Sequence, residues 1–201
     1  MSKQCMNNEL TVRRKTEILE AATRIFARYG YRQTDVQYIA EDLNIGKGTI
    51  YRYFPSKEAL FMAAVDQGMQ NLKTRIDTAV QNVQDPWQQV RKALQAYLNY
   101  FYHNPEIIEL FIQERSEFKD RKKPTYFVYR EANTPRWRNL FQGLMEQGQI
   151  REMSVDRIID IFNSLMYGTI FTAYFTGDLR SGEEQAEEIL DVILYGILEF
   201  R

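Results

Sequence analysis

TDVQYIAEDLNIGKGTIYRYFPSKEAL, residues 34–60, is the stretch that decides how the chain is read. It has the pattern of two short helices, a tight turn between them, and the start of a third. Val36, Ile39, Ala40 and Leu43 recur at three and four residues, the spacing of one buried helical face. Thr34 is expected to cap that helix, with Gln37 reaching back as a capping box. Asn44-Ile45-Gly46 then forms the turn; Asn tolerates the left-handed conformation such a turn needs. A short helix is expected from about Lys47 to Tyr53. Ser56 is the expected N-cap of a long helix reaching about Val83, and Glu58 suits its positive end.

The second short helix carries Lys47, Thr49, Tyr51, Arg52 and Tyr53 on only a few turns. Ile50 and Phe54 read as core. So many long polar side chains suit a helix that enters a DNA groove better than one that is buried. Two helices joined by a Gly-containing turn form a helix-turn-helix, whose second helix presents its N-terminal residues to base edges in the major groove. Here that end is Gly46-Lys47-Gly48-Thr49. The glycines leave the backbone uncovered for close approach to a sugar-phosphate strand. Lys47 can donate to guanine, and Thr49 can offer its methyl to thymine or its hydroxyl to a phosphate. Tyr51 and Tyr53 lie about 200° apart around the helix, so they reach different strands or one packs inward. Lys57, in the first turn of the next helix, suits a phosphate.

The rest of the chain is also written in helical spacing. Upstream, Ile18, Ala21, Ala22, Ile25, Phe26 and Tyr29 form one stripe, which Gly30 ends. Downstream, Asp85-Pro86 and Asn104-Pro105 each place a capping residue before a proline at the first helical position. Thr134-Pro135 either begins a helix or kinks one begun near Pro124. Ser154 opens a helix reaching about Thr176, and Ser181 with Glu184 caps a final helix ending near Phe200. No period-2 run bounded by hairpin turns and no repeat of fixed period is present. The expected fold is all-α, with a head over residues 1–55 and a helical body over residues 56–201.

Composition narrows the function. Of 201 residues 44% are hydrophobic, enough for a core, and no uninterrupted apolar run reaches the ~18 residues of a membrane span. The N-terminus MSKQCMNNEL has no apolar signal region, and the single Cys5 excludes an internal disulfide framework. A cytoplasmic protein without a membrane partner is expected. The net charge is −1, but residues 1–57 hold ten Lys or Arg against six Asp or Glu, and the remainder sixteen against twenty-one. A basic head on an acidic body fits a protein whose head alone meets a polyanion. Catalysis is poorly supplied: one His and one Cys support neither a metal cluster nor a nucleophilic triad. Gly46-Lys47-Gly48-Thr49 is no nucleotide-binding loop, because Glu41 and Gly48 stand where that motif needs Gly and Ser or Thr. No catalytic residue, metal ligand or cofactor is assigned.

The head, with the helix before it, resembles the DNA-binding domain of the TetR family of transcriptional regulators. The resemblance covers about residues 14–65. It rests on Ile18, Ala21-Ala22, Phe26, Gly30-Tyr31, Val36, Ile39-Ala40, and above all on Gly46-Lys47-Gly48-Thr49-Ile50-Tyr51-Arg52-Tyr53-Phe54 with Lys57 and Leu60. Asn44 departs from the glycine usual in that turn. The resemblance implies a homodimer with an N-terminal three-helix DNA-binding domain and a C-terminal body that binds a small effector and dimerises. Carried over by position, Thr34, Tyr51, Tyr53 and Lys57 contact phosphates, with Gly48 at the close approach. Lys47, Thr49 and Arg52 then read bases of a double-stranded operator.

The body is rich in aromatic residues, which suit either helix–helix core or a cavity for an apolar or aromatic molecule. With the resemblance, a pocket is expected from Tyr97, Phe101, His103, Arg115, Tyr129, Trp137, Asn163, Tyr167 and Phe171. His103 alone reads as a helix-end residue. The last two helices are the candidate dimer interface. One stripe is Ile161, Leu165, Gly168 and Thr172; the other is Leu190, Ile193, Leu194, Ile197 and Leu198. The resulting expectation is a ligand-responsive repressor on a pseudo-palindromic operator. The alternative is a helical lipid or acyl-ligand carrier whose head binds protein rather than DNA.

Overall fold

The structure is a computed structural model that describes residues 3–177 and 180–197, with side chains described over 9–177 and 180–194. These residues form nine helices and no strand: α1 (Lys3–Tyr29), α2 (Val36–Asp42), α3 (Lys47–Tyr53), α4 (Lys57–Val80), α5 (Pro86–His103), α6 (Pro105–Glu117), α7 (Thr125–Glu146), α8 (Val155–Thr176) and α9 (Gly182–Ile197). The all-α reading holds. The expected end of the last helix near Phe200 lies outside the described residues.

Most helix boundaries follow from cap chemistry. Gly30 ends α1 at φ 80° and Asn44 makes the turn before α3 at φ 52°, both left-handed. Ser56 accepts from the Ala59 N–H at 3.0 Å and Asp85 from the Gln88 N–H at 2.7 Å. Ser181 and Glu184 close the expected capping box, at 2.9 Å from Ser181 N to Glu184 Oε2 and 3.2 Å from Glu184 N to Ser181 Oγ. α7 begins at Thr125 and carries Pro135 in its interior, so the proline sits within a helix already begun.

Two local expectations are corrected. The N-cap of α2 is Asp35, whose Oδ1 accepts from the Gln37 N–H at 2.8 Å. Thr34 instead donates its hydroxyl to the Gly30 carbonyl at 2.7 Å. Asn104 does not cap α6 with its side chain; its amide turns back and donates to the Tyr100 carbonyl at 2.7 Å.

The chain forms two compact units, residues 1–69 with 109–125, and residues 70–108 with 126–201. This division differs from a cut after residue 55, for a packing reason. Leu60, Phe61, Ala64 and Val65 of α4 are completely buried with Ile18, Ile39 and Ile50 as core of the first unit. Phe61 meets Phe26 edge-on at 5.2 Å between centroids and stacks on Phe118 at 5.5 Å. Gln113 of α6 donates to the Phe26 carbonyl at 2.9 Å. Nearby, the buried Glu114 carboxylate accepts from the Thr125 hydroxyl at 2.7 Å and the Arg121 guanidinium at 2.6 Å.

In the second unit α5 packs along α9. The contact is close at Gly182, where an added Cβ would collide with Asn99; the Gly182 N–H donates to Asn99 Oδ1 at 3.0 Å. By length and composition α8 is apolar enough to cross a membrane, although the sequence reading found no such run. Only Ile158, Ile159, Met166 and Ile170 of this helix are buried.

Candidate nucleic-acid interface and ligand cavity

The interface is built on α3. Ile50 is 0% exposed and Phe54, its C-cap, 4%; together they anchor the helix. That anchoring turns the opposite flank outward. Gly46, Gly48, Tyr51 and Arg52 are exposed, and Lys47, Thr49 and Tyr53 partly so. The Arg52 guanidinium lies 5.4 Å from the Tyr53 ring centroid, which orders both side chains. Tyr51 and Tyr53 thus do not share a face, as their spacing implies.

Lys47 is outward but engaged. Its Nζ donates to Asp35 Oδ1 at 2.6 Å, the same oxygen that caps α2. The lysine hydrogen bond, then the Gln37 backbone N–H, holds the Asp35 carboxyl below the usual carboxylate range. The same bond raises Lys47. A solvent-exposed pair of this kind is weak. A phosphate or guanine edge can therefore take the ammonium from Asp35.

Two residues expected to contact phosphate make internal hydrogen bonds. Thr34 is 1% exposed and its hydroxyl donates to the Gly30 carbonyl. The Lys57 ammonium donates to the carbonyls of Tyr31, Arg32 and Thr34 at 2.9, 3.3 and 3.0 Å, and rests 4.6 Å from the Tyr31 ring centroid. A lysine has three N–H donors, and all three are directed inward onto the turn between α1 and α2. Lys57 clasps the head together. Asp35, passed over as a cap in the sequence reading, proves central here because it joins α2 to α3.

The second unit holds a cavity of about 130 Å³. Ile76 of α4 contributes to its wall, with Val90, Ala93, Leu94 and Tyr97 of α5, Tyr126, Trp137 and Phe141 of α7, and Ile159, Phe162, Asn163 and Met166 of α8. Tyr97 and Tyr126 join their hydroxyls at 2.9 Å. Burial pushes the Tyr97 phenol well above its ordinary range and raises Tyr126 as well. Both therefore stay neutral hydrogen-bonding groups near neutral pH.

Of the residues expected to bind a ligand, Tyr97, Trp137 and Asn163 line this cavity. Phe101 and Tyr167 back it through ring contacts, 5.0 Å from Tyr97 and 5.1 Å from Tyr126; Phe171 extends the cluster 4.6 Å from Tyr167. Tyr129 is not among the lining residues. His103 is not either: it is exposed, with Nδ1 at 2.8 Å from the Asn99 carbonyl at the end of α5. Arg115 is exposed on α6 in the first unit. The sequence reading missed the aliphatic wall and Phe162, since the residues that meet across helices are set by packing.

The two expected dimer stripes separate. On α8, Ile161 and Leu165 are 52% and 37% exposed, and Gly168 and Thr172 lie on the same open face. On α9, Leu190 and Ile193 are buried within the protomer and are core residues. Leu194 is partly exposed, and Val192, two residues earlier on α9, is 73% exposed. The side chain of Ile197, and Leu198, lie outside the described part. Among the described residues no cluster of metal-ligating side chains occurs.

A three-helix head with an outward polar second helix in its helix-turn-helix, in a chain whose second unit holds an apolar-walled cavity, has the build of a helix-turn-helix regulator. The family model for bacterial regulatory proteins of the tetR family matches residues 18–64. YhgD of Bacillus subtilis (strain 168), an uncharacterized HTH-type transcriptional regulator, is 32% identical over 127 residues, 58% of this chain and 66% of YhgD. The alignment thus spans just under two thirds of that relative's length. The TetR-family regulator PfmR from Thermus thermophilus is 26% identical with a TM-score of 0.72, covering 89% of this chain and 97% of PfmR. The ketosteroid transcriptional regulator KstR2 of Mycobacterium tuberculosis shares the fold at 21% identity and a TM-score of 0.69, over 93% of this chain and 96% of KstR2.

This chain belongs to the TetR family of transcriptional regulators. Its relatives are named as regulators and not as enzymes.

Proposed function

We propose that this protein is a cytoplasmic, ligand-responsive repressor that binds a pseudo-palindromic operator as a homodimer. The observation that carries the reading is the division of α3. Ile50 is wholly buried, while Lys47, Gly48, Tyr51 and Arg52 line its outward flank. Lys47, Thr49 and Arg52 are the base readers; Tyr51 and Tyr53 hold phosphates. The open stripe Ile161, Leu165, Gly168 and Thr172 of α8 supports a two-fold contact between protomers.

The cavity supports effector control. α4 runs unbroken from Lys57 to Val80 and brings Ile76 to the cavity wall. An effector that moves α4 changes the spacing of the two recognition helices and releases DNA. It does so only by preferring the non-binding state, at about 1.4 kcal/mol per tenfold of preference.

Selection of duplexes from a random pool tests the reading. An inverted repeat should emerge, with half-sites about 34–36 Å apart or a multiple of that distance. Recovery of no preferred sequence would count against a sequence-reading α3 and leave the carrier reading as the better one.

A further inference from the structure

The cavity lined by α5, α7 and α8 is small and has no charged lining residue, and these two properties select its occupant. Its volume of about 130 Å³ is close to that of an apolar protein cavity, ~150 Å³, that holds a single benzene. Pockets for drug-sized ligands run to about 300–1,000 Å³. A single ring fits within this space, whereas a four-ring molecule or a long acyl chain would have to extend out of it.

No lining residue is charged. Two arginines adjoin the wall, and both are engaged. Arg136 lies 5.5 Å from the Trp137 ring centroid and pairs with Asp77 at 2.7 Å. Arg130 lies 5.4 Å from the Phe127 ring centroid and 3.9 Å from Asp160. A carboxylate entering this space would lose its hydration against arginines already paired with Asp77 and Asp160, and an ammonium would meet no anionic lining residue. Polar groups in the wall are Asn163, the Trp137 indole N–H and the paired hydroxyls of Tyr97 and Tyr126. A phenolic oxygen that takes part in one hydrogen bond retains lone-pair capacity, so a ligand oxygen can join the pair.

We propose that this cavity takes one neutral, single-ring aromatic molecule bearing a hydroxyl or carbonyl group. The ring lies among Trp137, Phe141 and Phe162, and its oxygen meets the Tyr97–Tyr126 pair. The proposal rests on the reading of this cavity as the effector site.

Calorimetric titration of the full chain, without DNA, tests it with phenol, toluene, benzoate and benzylamine as probes. Phenol should bind saturably, one per chain, with benzoate and benzylamine weaker by about thirtyfold or more. Tyr97→Phe should weaken phenol about fivefold to tenfold, one hydrogen bond's worth, and leave toluene unchanged. Tyr126→Phe should behave alike, which covers the case in which the first variant misfolds. Benzoate or benzylamine binding as tightly as phenol overturns the proposal, as does the absence of saturable heat with phenol. Operator affinity is then measured with and without phenol. Phenol that binds yet leaves DNA affinity unchanged upholds the ligand class and overturns the effector role of the cavity.

Discussion

Lys57 is joined to Tyr31 twice, by an ammonium-to-carbonyl hydrogen bond of 2.9 Å and by a cation–π contact of 4.6 Å to the ring centroid. The first residue of α4 thereby fixes the turn that leads into α2. Lys57→Met should lower the stability of the head by about 1–2 kcal/mol, the value of a charge-assisted hydrogen bond reduced for partial exposure. Lys57→Arg should not restore it, because a planar fork does not match three convergent carbonyls. Urea unfolding followed by circular dichroism measures the loss. An unchanged midpoint, with only DNA affinity reduced, would return Lys57 to the role of phosphate contact.

The Asp35–Lys47 pair should compete with DNA. Asp35→Asn keeps an oxygen to cap α2 but removes the charge that holds Lys47 and repels phosphate. Operator binding should tighten severalfold at low salt, and the gain should shrink as ionic strength rises. Fluorescence anisotropy titration gives both numbers. Weaker binding would show that the ion pair positions Lys47 for DNA.

Stability should fall at both ends of the pH scale, for separate reasons. For Asp77, burial pushes the carboxyl up, but Lys73 and Arg136 more than offset this, and Asp35 is lowered by Lys47. A carboxyl depressed in the folded state contributes above its unfolded value, about 4. That contribution is lost as pH falls below about 4 through the folded value. The tyrosines act in the opposite sense. Burial raises Tyr100 to about 12 and pushes Tyr97 well above its ordinary value. Their contribution is complete below about pH 10, the unfolded value, and is lost as pH rises from there through the folded values. Tyrosinate absorbance, followed with circular dichroism, should show a group of tyrosines that ionise only as the second unit unfolds.

The two C-terminal stripes should respond differently to mutation. Leu165→Glu, on the open face of α8, should yield a folded monomer. Leu190→Ala, in the protomer core at 2% exposure, should instead cost about 2–4 kcal/mol and leave the dimer intact. Sedimentation velocity and thermal unfolding of the two variants separate these outcomes. A dimeric Leu165→Glu protein would move the interface elsewhere.

The helix-turn-helix was legible because local rules agree over residues 34–60. The 3-and-4 spacing of Val36, Ile39 and Ala40, the left-handed Asn44 and the capping Ser56 all point to one arrangement. The cap of α2 was misread because two neighbouring residues could do one job. Thr34 and Asp35 are both good caps, and sequence does not show that the threonine hydroxyl bonds back to Gly30. Lys57 has the composition of a phosphate contact; only the fold reveals three carbonyls converging on it. In the body, Tyr97, Trp137 and Asn163 were recognisable by chemistry. Phe162 and Met166 were not, because their meeting with α5 is set by how the helices cross. Leu190 and Leu165 have the same side chain in similar stripes, and packing alone assigns one to the core and the other to the open face.

The salt dependence of operator binding tests the central claim most directly. If the outward flank of α3 meets the duplex, the logarithm of affinity should fall linearly with the logarithm of salt, by about 0.9 per phosphate neutralised. Arg52→Ala should relax base preference, and Tyr51→Phe should weaken binding to all sequences alike. A flat salt response, with both variants binding as the parent does, would contradict the account.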